Sequence, residues 1–314
     1  MSLGDKILDI LTDGQRHSGV ALGRALGVTR AAISKAVREM ADVPVSVDRM
    51  GYALPETHRP LDAVRIREIV SRHGVALDQL IVLSEVDSTN RYLLQRPDAD
   101  RTACLAERQT QGRGRRGRQW VADPYSNILL SVVAHVPGGA RALGVLSLAA
   151  GVAVHRALGE IGVADVALKW PNDVLYRNRK LAGILTEVRG EAEAPRAVIG
   201  VGLNCYLSAH TGAEIDQPWA SLDEQLIVDR SVLVGHLVAH LFAVIDACSR
   251  GEGAALVAAW RERHAYAGQH VALLRDAGTE IAMIKDIDDE GALVVRIGDR
   301  EEIVHSGEVR LRPL

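Results

Sequence analysis

Apolar and polar positions change period several times along the chain. Residues 4–16 place Ile7, Leu8 and Leu11 on one side, predicting a first helix. Residues 17–40 hold two short amphipathic stretches parted by Gly27 and Val28. Thr29 stands where it caps the second, whose apolar positions are Ile33, Val37 and Met40. Arg30, Ser34, Lys35 and Arg38 fall on its other side. A helix, a tight glycine turn and a second helix with polar residues near its start is the helix-turn-helix pattern, which makes these four the candidates for facing DNA. Residues 43–56 pair valines in alternation and turn at Met50-Gly51, predicting a β-hairpin that would form a wing. Arg49 is its only basic residue. Pro55 to Pro60 reads as a linker, and residues 61–74 as a helical connector.

From about Leu80 strands and helices interleave. Residues 81–86, 103–107, 127–136, 165–170, 180–188 and 197–205 are predicted strands. Residues 88–95 start a helix with Ser88 at its N-cap, and 141–162, 230–250 and 253–264 are longer helices. Several consecutive strands without intervening helices argue for a mixed or antiparallel sheet, an α+β design. Residues 268–314 show short Val/Ile/Leu strands broken by acidic and glycine turns, predicting a small β-barrel.

At 314 residues, 47% hydrophobic and 25% charged, the composition is that of an ordinary globular protein of about two domains, and excludes wholesale disorder, collagen and coiled coil. No run of ~18 apolar residues stands out, so no membrane span is expected. The first ten residues lack the pattern of a secretory signal. Cys104, Cys205 and Cys248 are odd in number and far apart, neither a metal-ligand spacing nor a disulfide framework, which suits cytoplasmic thiols. The net charge is −3, and residues 1–60 carry eight Lys/Arg against seven Asp/Glu. Any DNA contact must come from arrangement and not from bulk charge.

The most unusual segment is Gln109-Thr-Gln-Gly-Arg-Gly-Arg-Arg-Gly-Arg-Gln-Trp120. Glycine lets backbone approach a ligand closely, and arginine supplies forked cationic donors for phosphate and carboxylate. A basic RNA-binding loop has the same composition, but this one lies between apolar strands and ends in Trp120. It is neither a P-loop nor a dinucleotide-binding glycine motif. A second segment, Lys169-Trp-Pro-Asn-Asp173 followed by Lys180-Leu-Ala-Gly183, places two of only five lysines eleven residues apart around a hairpin, where both reach one cleft. Asn172 and Asp173 read as its turn. Asp87-Ser-Thr-Asn90 offers hydroxyls, an amide and free N–H groups at a helix start. Gly200-Val-Gly-Leu-Asn204 ends an apolar strand in Asn. Each of these last two, alone, is also an ordinary cap or strand end.

Five motifs taken in order, from Glu85-Val-Asp-Ser-Thr-Asn90 through the Arg-Gly loop, Lys169 to Asp173 and Lys180-Leu-Ala-Gly-Ile-Leu-Thr-Glu187 to Gly200 to Asn204, resemble the bifunctional bacterial biotin protein ligases, also called biotin operon repressors. The resemblance spans essentially the whole chain and is strongest over residues 81–205. It implies a winged helix-turn-helix domain (1–60), a biotin- and ATP-binding catalytic domain like the class II aminoacyl-tRNA synthetase core (61–264), and an SH3-like domain (265–314). Such enzymes activate biotin with ATP, normally with Mg²⁺, to biotinyl-5′-AMP, and then acylate a lysine of the biotin carboxyl carrier protein of acetyl-CoA carboxylase. By the same resemblance Ser88, Thr89, Asn90 and Gln109 contact biotin, while Gly112, Arg113, Gly114 and Arg115 close over the adenylate. Lys180, with Arg115, serves catalysis. Trp120, Lys169, Asn172, Asp173, Gly183 and Asn204 complete the binding set, and Trp219 packs on adenine. Metal ligands are not indicated. Operator DNA and a homodimer formed on adenylate binding are the further partners implied. A lipoate-type ligase, a ligand-sensing repressor without ligase activity, and a ligase that no longer binds DNA are the competing readings.

Overall fold

The computed structural model describes residues 2–40, 43, 45–136, 139–189, 195–275, 278–305 and 310–313. Three short helices open it, α1 (Leu3–Leu11), α2 (Gly19–Leu26) and α3 (Arg30–Glu39). Ser2, Ser18 and Thr29 cap them by accepting from the N–H groups of Asp5, Ala21 and Ala32, donors that a helix start otherwise leaves unpaired. Gly27 ends α2 at φ 67°, a conformation that favours glycine, and turns the chain into α3. Strands β1 (Ser46–Asp48) and β2 (Gly51–Ala53) form the expected hairpin, and Arg16 fastens it by donating to the Gly51 carbonyl and pairing with Asp48 at 3.0 Å. Residue 44 of that stretch lies outside the described residues. Ile7, Leu11, Leu22, Ile33 and Tyr52 close a small core separate from the main one.

The segment from Pro55 to Pro60 is packed, in contrast to the linker expected from its prolines. His58 is buried against Tyr206, their rings 5.0 Å apart, and Arg230 donates to the Arg59 carbonyl at 2.7 Å. Arg230 also pairs with Glu107 at 2.9 Å, and Glu107 accepts the Leu61 N–H at 2.6 Å. Both charged side chains are buried. Removing either strands the other charge, which typically costs ~3–5 kcal/mol.

The rest runs α4 (Ala63–Arg72), β3 (Gln79–Val86), α5 (Thr89–Leu94), β4 (Thr102–Gln109), β5 (Ile128–His135), α6 (Gly139–Glu160), β6 (Val166–Lys169), β7 (Asp173–Tyr176), β8 (Arg179–Arg189), β9 (Arg196–Leu203), α7 (Ala209–Ala213), α8 (Arg230–Ser249) and α9 (Gly253–Arg261). Strands β3 to β9 make one seven-stranded mixed sheet in the order β3-β4-β5-β9-β8-β7-β6, in which only β3 and β4 run parallel. The two-residue period of a strand divides its side chains between two faces. Ala103, Leu105, Val132 and Ile199 enter the main core with α4, α6 and α8, whereas Cys104, Val133 and Val198 meet Leu93 of α5 on the opposite face.

Helix α8 is 20 residues long and holds an 18-residue window of mean hydropathy 1.8, enough by length and composition to cross a bilayer. It is not a continuous apolar run, because His236, His240 and Asp246 interrupt it. The helix is instead largely buried, packed against α4, α6 and β5. Strands β10 (His270–Arg275), β11 (Gly278–Ile287), β12 (Leu293–Ile297), β13 (Arg300–Val304) and β14 (Arg310–Pro313) form an antiparallel sheet in the order β13-β12-β11-β10-β14. Its apolar residues Val271, Leu273 and Ile284 share the main core, and Trp170 donates its indole N–H to the Gly291 carbonyl at 3.0 Å.

Candidate active site

The register of β5, β9 and β8 sets Ser131, Gly200 and Leu185 in one row across the α5 face of the sheet, and Leu129, Gly202 and Gly183 in the next. Two side chains use the space the glycines leave. A Cβ on Gly200 would lie 2.3 Å from Asn90 Oδ1, and one on Gly202 would lie 2.3 Å from Trp120 Cε2.

Around the first row stands a hydrogen-bonding wall of amides and hydroxyls, backed by the Arg113–Glu187 ion pair. Gln109 Oε1 accepts from the Thr89 N–H at 2.7 Å and from its hydroxyl at 3.1 Å. Asn90 Nδ2 donates to the Leu185 carbonyl at 3.2 Å and to Glu187 at 2.8 Å, and Arg113 donates to the same Glu187 oxygen at 2.9 Å. Ser88 occupies the N-cap position of α5, but its side chain makes no capping bond. Gln109, from the neighbouring strand, satisfies the helix start instead. Ser131 joins this group, its hydroxyl 2.7 Å from Thr89 Oγ1 and 2.5 Å from Asn90 Oδ1. Sequence reasoning missed Ser131, although it is the one polar residue in the apolar run 128–134.

The Arg-Gly loop folds back on itself. Gly114 N–H donates to the Arg118 carbonyl at 2.7 Å and Trp120 N–H to the Gly112 carbonyl at 3.0 Å, while Arg116 takes a positive φ of 56° at the tip. Burial pushes the Arg115 pKa down and the Arg116 charge adds to this, with Asp173 opposing.

A second wall is cationic. The turn before β7 comprises Trp170, Pro171 and Asn172, so Asp173 is the first strand residue and not part of the turn. Asn172 fastens the turn to β8, donating to the Ile184 carbonyl at 2.8 Å and accepting the Ile184 N–H at 2.9 Å. Asp173 lies between the two lysines, with Lys180 Nζ at 2.7 Å and Lys169 Nζ at 3.9 Å. Burial lowers the Lys169 pKa, Asp173 works against that, and the Lys180 charge adds to it. Trp219 is held beside Lys180 by backbone bonds on either side, Lys180 N–H to the Pro218 carbonyl and Ala220 N–H to the Lys180 carbonyl, both 2.9 Å. Asn204 donates to the Ala220 carbonyl at 3.1 Å, and its Oδ1 is buried without a hydrogen-bond partner.

These walls enclose a cavity of about 770 Å³. Ser88, Thr89, Asn90, Gln109, Arg113, Gly114, Arg115, Trp120, Lys169, Asn172, Asp173, Lys180, Gly183, Asn204 and Trp219 all line it. Gly112 does not; it packs on the Trp120 carbonyl. Arg118, Tyr266 and Arg312 line it too, the last two from the C-terminal part of the chain. Arg30, Lys35 and Arg38 are exposed on α3 and Ser34 is half-buried there, with Lys35 3.8 Å from Glu39. A neutral amide and hydroxyl wall beside a cationic one suits a polar, uncharged group joined to a phosphate-bearing one.

A bifunctional ligase/repressor BirA from Salmonella typhimurium is 39% identical over 247 residues, 76% of each chain. That of Escherichia coli strain K12 is 36% identical over 276 residues, 86% of this chain and 84% of the relative. This chain belongs to the biotin protein ligase family. The profile of the Biotin/lipoate A/B protein ligase family matches residues 82–204, which alone leaves biotin and lipoate ligases together. The Biotin protein ligase C terminal domain matches residues 266–312 and favours the biotin branch. The fold is similar to that of a biotin protein ligase from Aquifex aeolicus in complex with biotin and ATP, with a TM-score of 0.65, 26% identity, and coverage of 76% of this chain and 100% of that one.

Proposed function

We infer that this biotin protein ligase activates biotin with ATP and transfers it to a lysine of the biotin carboxyl carrier protein of acetyl-CoA carboxylase. The observation that carries this reading is the meeting of the Thr89, Asn90 and Gln109 wall with Lys169, Lys180 and the loop arginines in one cavity. Biotin's ureido group needs paired donors and acceptors, which Ser88, Thr89, Asn90 and Gln109 supply. In the first step the biotin carboxylate attacks the α-phosphate of ATP in line, pyrophosphate leaves, and biotinyl-5′-AMP forms. Two anions must approach, so Lys180, Lys169 and Arg115 offset their repulsion and stabilise charge on the phosphoryl oxygens. Asp173 positions the Lys180 ammonium at the cavity wall. Trp219 packs on adenine, and the orphaned Asn204 Oδ1 accepts from the nucleotide. In the second step the carrier lysine amine attacks the acyl carbon and AMP leaves.

Glu214 and Asp216, which line the cavity, would hold a Mg²⁺ mainly through water and substrate phosphates. When bound, such an ion would neutralise charge on the departing pyrophosphate. The test is ATP–pyrophosphate exchange. Exchange that requires biotin supports the reading, and exchange driven by lipoate instead contradicts it.

The same chain represses biotin synthesis. Residues 1–60 are a winged helix-turn-helix unit, 61–264 the synthetase-like catalytic domain and 265–314 an SH3-like domain. Arg30, Ser34, Lys35 and Arg38 on α3 face operator DNA. Loops ordered by the adenylate complete a homodimer surface on the central sheet, which presents two such units to two half-sites. The buried, unpaired thiols are in keeping with a cytoplasmic setting. Replacing Arg30 and Lys35 with Ala abolishes operator binding and leaves ligation intact on this account. A double variant that still protects an operator upstream of biotin-synthesis genes contradicts it.

A further inference from the structure

Behind the sheet, on the face away from the cavity, the helical layer gathers three histidines around one glutamate. His73 caps the C-terminus of α4, Glu160 is the last residue of α6, and His236 and His240 project from one side of α8, four residues apart. Glu160 has one oxygen 2.6 Å from His236 Nδ1 and the other 2.7 Å from His240 Nε2. His73 Nε2 lies 3.5 Å from Glu160 and 3.1 Å from His236 Nδ1. The ligating atoms of His73, Glu160 and His240 all fall within 4.8 Å of one another. None of these four residues lines the cavity, and the reaction uses none of them.

We propose that this cluster is a transition-metal site, filled by Zn²⁺, with His73, Glu160 and His240 as ligands and His236 holding the carboxylate. Imidazole nitrogen and carboxylate oxygen are the donors zinc takes, at about 2.0–2.2 Å, so donors within 4.8 Å of one another need only a modest movement to share one ion. The side chains are partly exposed, which leaves an entry path. Competing thiols are poor ligands here: burial pushes Cys104 and Cys205 up to about 12 and Cys248 to about 11. The ion would join α4, α6 and α8 across the back of the core. Its role is a clamp on the helices that carry the sheet.

The test uses the full, tag-free chain, dialysed against Zn²⁺ and analysed for metal, with Co²⁺ as a coloured probe. The expected result is one Zn²⁺ retained per chain, a Co²⁺ visible spectrum of low coordination number, and a zinc-dependent rise in Tm. His240→Asn and the His73→Asn/His240→Asn pair lose all three while keeping zinc-free adenylation at the parent rate. His236→Gln, removing a supporting contact, weakens zinc binding by roughly 10–100-fold. Failure of the parent to retain zinc, or equal retention by the double variant, overturns the proposal.

Discussion

Trp120 lies on Gly202, so close that a Cβ on the glycine would fall 2.3 Å from Cε2 of the indole. The two residues are 82 positions apart, one closing the Arg-Gly loop and the other next to last in the strand β9. The loop is thus anchored to the sheet by a ring that only a glycine row admits. Gly202→Ala should displace Trp120 and the arginines it positions. Overpacking of this kind typically costs ~1–3 kcal/mol. We expect a lowered Tm and a far larger loss of adenylation, measured by thermal unfolding and pyrophosphate exchange on the same sample. An unchanged exchange rate contradicts the anchoring role.

Lys180→Ala removes the ammonium that Asp173 holds at 2.7 Å. The side chain is only half-buried, so the fold should survive. By analogy with the loss of one oxyanion donor, the adenylation barrier should rise by ~2–4 kcal/mol. Single-turnover adenylation in the folded variant checks it.

Arg115→Gly removes a partly desolvated cation from the loop. Retention of a reactive mixed anhydride away from water is the loop's expected task. The variant should release biotinyl-5′-AMP and label lysines on a bystander protein. Mass spectrometry of added albumin reads this out, and a variant that holds the intermediate as tightly as the parent contradicts it.

Stability should fall in acid for a reason that lies outside the site. Burial, reinforced for His58 by the Arg230 charge, holds His58 at about 4, and burial alone sets His264 at about 4, against an ordinary 6.5. The folded pKa values are depressed, so the unfolded chain takes up these protons first. Stability is full above pH 6.5 and declines as the pH falls from 6.5 to about 4. Denaturant midpoints across that window should show the decline, and His58→Gln should flatten part of it.

The helix caps at Thr29 and Gly27, and most strands, are legible because period and cap chemistry are local. The Arg-Gly loop and the two lysines are legible as chemistry because those residue types are concentrated or scarce. Strand β7 is not, being four residues long and set directly after a turn. Ser131 escapes because a single hydroxyl in an apolar strand acquires meaning only when Asn90 and Thr89 are folded over it. Packing of the Pro55–Pro60 segment depends on Arg230, some 170 residues away, and the His73–Glu160–His240 cluster draws on three distant helices. No periodicity reports contacts of that kind.

The most direct measurement is the intact mass of a carrier domain after incubation with this protein, biotin and ATP–Mg²⁺. The account predicts a gain of one biotinyl group per domain, dependent on ATP, absent when the acceptor lysine is replaced, and strongly slowed by Lys180→Ala. An acceptor whose mass stays unchanged while the folded protein binds biotin and ATP would contradict it.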